Sequence, residues 1–242
     1  MSVSSGPPGR GARVLVVAKA PEPGRVKTRL VPLLGEHGAA TLCRAMLLDT
    51  LETCRLEVAD VGVLYARAGE RAALAALAGP GAPLVLQEGE GHACALRTGM
   101  RATLAERDSA LLVASDVPGV PPGSPRRALT ALEAGADVVL GPSEDGGYWL
   151  VGMREPHVAP FERIPWSTGT VLEVTLDRCR AAGLEVALVD SWRDVDTPED
   201  LAAIAGAAIP GRRTRALVAQ HSHASGAPAP SAPRAAISEA RS

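Results

Sequence analysis

The chain has 242 residues, 46 % hydrophobic and 21 % charged, with 25 Lys and Arg set against 27 Asp and Glu. That length supports one large domain or two small ones, and the near-neutral balance leaves no global basic field to recruit nucleic acid or an anionic membrane. The longest apolar runs fall far short of the roughly 20 residues that span a bilayer, and the opening MSVSSGPPGRGAR lacks the apolar core of a secretory signal. The expectation is a cytoplasmic globular protein with a flexible leader at 1–12 and an undetermined oligomeric state.

In chain order, short β-branched runs alternate with helical patterns. Strands are predicted at Arg13–Ala18, Val61–Ala66, Pro83–Gln87, Ala110–Ser115, Asp137–Gly141, Tyr148–Val151 and Leu184–Val189. Helices are predicted at Glu36–Cys54, Gly91–Glu106 and Thr170–Ala182, from apolar residues at helical spacing. Four strands read as continuous hydrophobic runs, the pattern of strands covered on both faces. The alternation implies one α/β domain over 13–208, a mostly parallel sheet flanked by helices. From 209 to 242 the composition turns polar and Pro/Ala/Ser-rich, so a disordered tail is expected there, with His221 and His223 inside it. Cys43, Cys54, Cys94 and Cys179 are scattered without CxxC spacing, as befits free thiols in a reducing compartment. Five of the six aromatic residues, Tyr148, Trp149, Phe161, Trp166 and Trp192, lie in the second half.

Ligands of open parallel sheets bind beyond the C-terminal ends of the strands, so the loops after Ala18, Ser115 and Gly141 carry the interest. The first reads KAPEPGRVKTRL. Gly24 leaves room for a close backbone approach, and Arg25, Lys27 and Arg29 offer the forks and point charge that suit phosphate oxygens. It is neither a Walker loop nor a GxGxxG turn. A solvated basic helix start explains the same residues. The second, SDVPGVPPG, delivers Ser115 and Asp116 to a strand tip, where a carboxylate can hold a hard cation or merely open a turn.

The third loop, GPSEDGGYWLVGM, sets Glu144 and Asp145 beside Gly146–Gly147, a strong hairpin signal, with Tyr148 and Trp149 able to flank an acceptor or pack in the core. In IPWST, Ser167 or Thr168 is expected to cap the helix that follows, and Trp166 to line the acceptor side or serve as an anchor. In WRDVDTPEDL a capping box accounts for Thr197 to Asp200 but leaves Asp194 and Asp196 as surface carboxylates or as a second metal ligand.

The ordered series KAPEPGRVKTRL, SDVPGVPP, GPSEDGGYWLVG, IPWST and DVDTPEDL resembles the bacterial glycosyltransferase-like family named for its association with radical SAM and selenodomain proteins and linked to arsenosugar biosynthesis. The similarity runs from about Val14 to Ile204. The resemblance implies a GT-A (Rossmann-like) fold of the nucleotide-diphospho-sugar transferase superfamily, whose closer relatives include guanylyltransferases of cofactor synthesis. It implies a phosphate site at Ala18, Lys19, Gly24, Arg25, Lys27, Arg29 and Ser115. It also implies Mg²⁺ or Mn²⁺ at Asp116 and Asp196, with catalysis by Lys27, Asp116 and Asp145. Glu144, Gly146, Gly147, Tyr148 and Trp166 would form the acceptor side. The implied partners are a nucleotide or nucleotide-sugar and a small acceptor, with Asp145 or Glu144 as base. One departure stands out. The strand tip holds a single carboxylate, Ser115–Asp116–Val117, where such glycosyltransferases carry Asp-x-Asp, so nucleotidyl transfer with pyrophosphate release stays open as the alternative, as does a non-catalytic nucleotide-binding module.

Overall fold

The computed structural model describes residues 10–224. Its seven strands are β1 (Ala12–Val17), β2 (Asp60–Tyr65), β3 (Leu84–Leu86), β4 (Ser109–Ala114), β5 (Val138–Pro142), β6 (Tyr148–Met153) and β7 (Val186–Leu188). The seven helices are α1 (Val31–Glu57), α2 (Arg71–Ala78), α3 (His92–Leu104), α4 (Ser124–Glu133), α5 (Val171–Ala181), α6 (Pro198–Ile204) and α7 (Arg212–Ala224). One sheet takes the order β3-β2-β1-β4-β6-β5-β7, with β6 alone antiparallel to its neighbours.

The continuous apolar runs become parallel strands covered on both faces. Alternate residues supply the two cores, as the two-residue period of a strand requires. Val14, Val16, Val63 and Val113 pack against Leu47 and Leu51 of α1 and Leu132 of α4. Leu15, Leu64, Leu112 and Val151 pack against Leu96 and Met100 of α3 and Cys179 of α5. The result is the predicted α/β domain, a mostly parallel sheet between helical layers. The chain winds outward from β1 through β2 to β3, then returns to lay β4 on the other side of β1. That reversal opens a crevice above the C-terminal ends of β1 and β4.

Several local expectations are met, others corrected. α1 breaks at Gly35, whose φ of 69° ends the regular helix one residue before the predicted start at Glu36. Thr197 and Asp200 form the capping box. Ser167 and Thr168 do not cap α5: Ser167 has φ 65°, the Thr168 hydroxyl donates to the carbonyl of Pro165, and Thr170 holds the N-cap position. All four cysteines are free thiols, three of them buried.

The leader extends less far than 1–12, because Ala12 already pairs with Ser109 in the sheet; residues 1–9 lie outside the described residues. The larger correction concerns the tail. Ile209 and Val218 are buried with Leu42 and Met46 of α1 and with Leu201 and Ile204 of α6. Asp49 of α1, itself buried, accepts the backbone N–H groups of Arg213 and Thr214 and the Thr214 hydroxyl, capping α7 from another helix. Gly119 lets that corner close: its φ is 90°, and a Cβ there would stand 2.3 Å from the Gly211 nitrogen. A polar segment therefore folds on a partner supplied by α1. His221 lies in α7; the rest of the expected tail, 225–242, is outside the described residues.

Candidate active site

A cavity of about 670 Å³ occupies the crevice, within the range of small-molecule sites. Ala18, Lys19, Arg25, Lys27, Arg29, Ser115, Asp116, Tyr148 and Asp196 line it. The loops after β1 and β4 thus face one space, as the topology argument requires.

Lys27 is the centre of the arrangement. Val26 and Leu30 are buried on either side of it, and Lys27 itself is forced into the left-handed region, at φ 47° and ψ 44°. For a non-glycine residue that conformation costs about 1–2 kcal/mol and persists where the surroundings over-determine it. The side chain is only 7 % exposed, and its Nζ stands 3.7 Å from Asp116 Oδ2 and 3.6 Å from Asp196 Oδ1. Arg29 Nη1 donates to the other Asp196 oxygen at 2.8 Å. Arg25 instead reaches Glu22 at 2.9 Å.

The acidic wall is stitched together through the main chain. Val195 N–H donates to the carbonyl of Asp116 at 2.9 Å, and the neighbours Val117 and Val195 are fully buried. Each apolar anchor leaves the adjacent aspartate facing outward. Asp194 turns the other way, accepting the Ser143 hydroxyl at 3.2 Å. Burial first, then the charges of Asp116 and Asp145, hold its pKa above the ordinary carboxylate value despite that bond. Asp200 shows the opposite outcome. Burial alone would raise it, but the N–H groups of Asp196 and Thr197 and the Thr197 hydroxyl keep it low, with help from Lys27.

The third predicted loop is mostly turned away. Asp145 Oδ1 accepts the N–H of Gly147 at 2.9 Å, and Glu144 pairs with Arg193 at 2.9 Å. Gly146 has φ 87°, and a Cβ there would lie 2.0 Å from the Gly169 carbonyl oxygen, so it seats the hairpin on the segment leading into α5. Neither these residues nor Gly147, Trp166 or Gly24 line the cavity. Gly24, at φ 73°, sits against the Glu36 carboxylate. Among the described residues no three His, Cys, Asp or Glu side chains gather as a metal cluster.

His92 was not foreseen. It opens α3, lines the cavity, and packs edge-on to Trp166 with ring centroids 4.7 Å apart; Trp166 in turn touches Tyr148. Although His92 is exposed at the cavity mouth, loss of solvent around the ring lowers its pKa, opposed by Asp116 and assisted by Lys19. Burial pushes the Tyr148 hydroxyl up. Two glycines flanking Glu90 just before the helix were the available signal for this loop, but a single His carried none. Cys43 also lines the wall, its thiol raised by burial.

A family model described as an uncharacterized protein conserved in bacteria, DUF2064, matches residues 50–168. A solved structure from Desulfovibrio desulfuricans G20, named as a candidate nucleotide-diphospho-sugar transferase, is 31 % identical, with a TM-score of 0.80 over 88 % of this chain and 95 % of that one. The chain belongs to the same family as that Desulfovibrio protein. The segment matched by the DUF2064 model holds Asp116 and Asp145, while Lys27 and Asp196 lie outside it. More distant structures share the fold. A CMP-2-keto-3-deoxy-manno-octonic acid synthetase complexed with CTP is 17 % identical, TM-score 0.55, over 87 % of this chain and 99 % of that one. Glucosyl-3-phosphoglycerate synthase from Mycobacterium tuberculosis, in complex with Mn²⁺, UDP and glucosyl-3-phosphoglycerate, is 15 % identical, TM-score 0.50, over 91 % and 82 %. No curated protein matches the chain.

Proposed function

We propose that this protein transfers a glycosyl group from a nucleotide-sugar to a small acceptor, with a divalent cation assisting. The reading rests on one observation: the Lys27 ammonium and the Asp116 and Asp196 carboxylates meet within 4 Å at the switch point of the sheet. The 31 % identical relative named as a candidate nucleotide-diphospho-sugar transferase supports it.

The donor set suits Mg²⁺ or Mn²⁺. Asp116 and Asp196 offer hard oxygen ligands from two loops, and the charges of Asp116 and Asp145 add to burial in raising the pKa of neighbouring Asp194. Such a cation typically takes one or two carboxylates and completes its shell with substrate phosphates. When bound, it would offset charge building on the departing diphosphate. Lys27 and Arg29 would donate to the same phosphates, with Lys19 and Arg25 at the rim. Tyr148 would bound the acceptor. Glu144 is committed to Arg193 and Asp145 to its own turn, so His92, which lines the cavity, is the better-placed group to take the acceptor's proton. The acceptor oxygen bonds to the anomeric carbon, the bond from that carbon to the diphosphate breaks, the nucleoside diphosphate leaves with the electron pair, and the proton passes to the imidazole.

One observation favours a second reading, nucleotidyl transfer from a nucleoside triphosphate to a phosphorylated acceptor. Val117, beside Asp116, is fully buried, so this strand tip presents a single carboxylate. The products separate the two. Nucleoside triphosphates and nucleotide-sugars should be screened by thermal shift with and without Mg²⁺ or Mn²⁺. A ligand at 100 times its Kd stabilises the fold by about 2.7 kcal/mol, or roughly 5–11 °C in a domain of this size. Release of nucleoside diphosphate supports glycosyl transfer, and release of pyrophosphate supports the second reading. No shift with any nucleotide would overturn both.

A further inference from the structure

We propose that Lys27 is a resident cation that closes the Asp116–Asp196 gap to divalent ions until phosphate draws the ammonium away, so that phosphate binding opens the metal site. This rests on the reading of Asp116 and Asp196 as the cation's ligands.

Three observations carry it. The Lys27 Nζ stands within ion-pair range of both carboxylates, 3.7 Å from Asp116 Oδ2 and 3.6 Å from Asp196 Oδ1, so it already neutralises the oxygens that would hold the cation. Those distances exceed the 2.7–2.9 Å or so of a charge-assisted hydrogen bond, so the ammonium is held by charge without tight hydrogen bonds and can be exchanged. Its backbone is left-handed, while the flanking Pro23–Arg25 and Thr28–Arg29 are exposed. Strained residues cluster at switch regions, where two positions are part of the mechanism.

The arrangement also has a thermodynamic consequence. With Lys27 in the gap, an incoming divalent ion meets a positive charge; with Lys27 on phosphate, it meets two bare carboxylates. Phosphate and metal must then strengthen one another's binding by the same factor. Arg29 keeps Asp196 oriented throughout through its 2.8 Å bond.

The test uses Mn²⁺ alone as probe, titrated without nucleotide and followed by its electron paramagnetic resonance signal. Lys27→Met retains the apolar stem without the charge, and Lys27→Asn suits the left-handed backbone; thermal melts establish that each is folded. Both variants should bind Mn²⁺ about 10–100-fold more tightly than the wild type. In a second arm, metal-free pyrophosphate should bind several-fold more tightly to Asp116→Asn than to wild type, because the ammonium has lost one of its two anchors. Wild-type Mn²⁺ affinity in both Lys27 variants would overturn the latch. If instead Lys27→Met tightens Mn²⁺ binding and adding Asp116→Asn to it changes nothing, the ion sits elsewhere. The assignment of Asp116 as a ligand then fails, and the latch with it. Loss of Mn²⁺ binding in Asp116→Asn alone, with no effect of Lys27→Met, would remove the latch and leave the functional reading standing.

Discussion

Replacing Asp116 by Asn separates function from stability, because the two effects differ greatly in size. The substitution keeps the shape and removes one charge. At 3.7 Å from Lys27 Nζ, the full attraction would be about 4–5 kcal/mol at an effective dielectric constant near 20. Asp116 is 44 % exposed, however, and solvent screening reduces partly open pairs to roughly 0–1 kcal/mol. Lys27 also keeps Asp196, and Asp194 is relieved of a like charge. The net change in stability should therefore lie within about 1 kcal/mol, no more than roughly 4 °C in Tm. Turnover should fall by at least about 10²-fold, the scale on which single electrostatic contributors to catalysis act. Thermal melts and a product-release assay on the same preparation check both halves. A large fall in Tm would make Asp116 a structural residue. Undiminished turnover in a folded variant would remove it from the mechanism.

Two further substitutions probe the surroundings. Asp49→Ala strips the cap of α7, leaving two backbone N–H groups and a buried hydroxyl without their acceptor. The cost should be about 3 kcal/mol, a fall of roughly 6–12 °C in Tm; an unchanged melt would mean that α7 adds nothing to the fold. For Asp194→Asn the effect is a gain. The folded carboxyl holds its proton to higher pH than the unfolded one, so wild-type stability falls as pH rises from the ordinary value of about 4 through the raised one, and the penalty persists above it. The variant should melt higher than wild type at pH 7, with the difference closing as the pH falls toward 4. Equal melts at pH 7 would show that Asp194 bears no such burden.

What the sequence disclosed and what it withheld follow from the range of the interactions involved. Val14–Val16 and Leu111–Val113 were legible because a strand buried on both faces needs an unbroken apolar run. The Thr197–Asp200 box was legible because both partners lie within four residues. Loop positions at the strand tips followed from topology. α7 was hidden because its cap comes from Asp49, 165 residues before Thr214. The sequence GRRTRALVAQ has too little apolar surface to announce a helix without that partner. Glu144 and Asp145 answer first to a local rule: a carboxylate beside Gly-Gly is a turn residue, and in the fold Arg193 pairs with Glu144 while the Gly147 N–H donates to Asp145. The left-handed backbone of Lys27 has no sequence signature. It arises from the burial of Val26 and Leu30 in separate parts of the core.

The uneven distribution of aromatic residues has a structural reason as well. Trp192 is the strap of the acidic wall. Its indole N–H donates to the Gly119 carbonyl at 2.8 Å, binding the loop after β4. Its backbone N–H donates to Pro142 and its carbonyl accepts from Glu144, both at 2.9 Å, binding the turn between β5 and β6. Trp149 fastens the same strand segment through its indole, which donates to the Asp190 carbonyl at 3.0 Å. Indoles suit such corners, because one side chain fills apolar space and satisfies a buried carbonyl at once. Three loops of different origin are thereby held in one register, which holds Asp116 and Asp194 at fixed separation and makes their mutual repulsion unavoidable. The basic loop is tied to that wall through side-chain charge: it enters the cleft on buried Val26 and Leu30, and Arg29 and Lys27 reach Asp196 and Asp116. A rigid acidic wall facing a strained basic loop assigns any motion on ligand binding to the Lys27 side, because the aspartates cannot move apart without breaking the bonds of Trp192 and Val195.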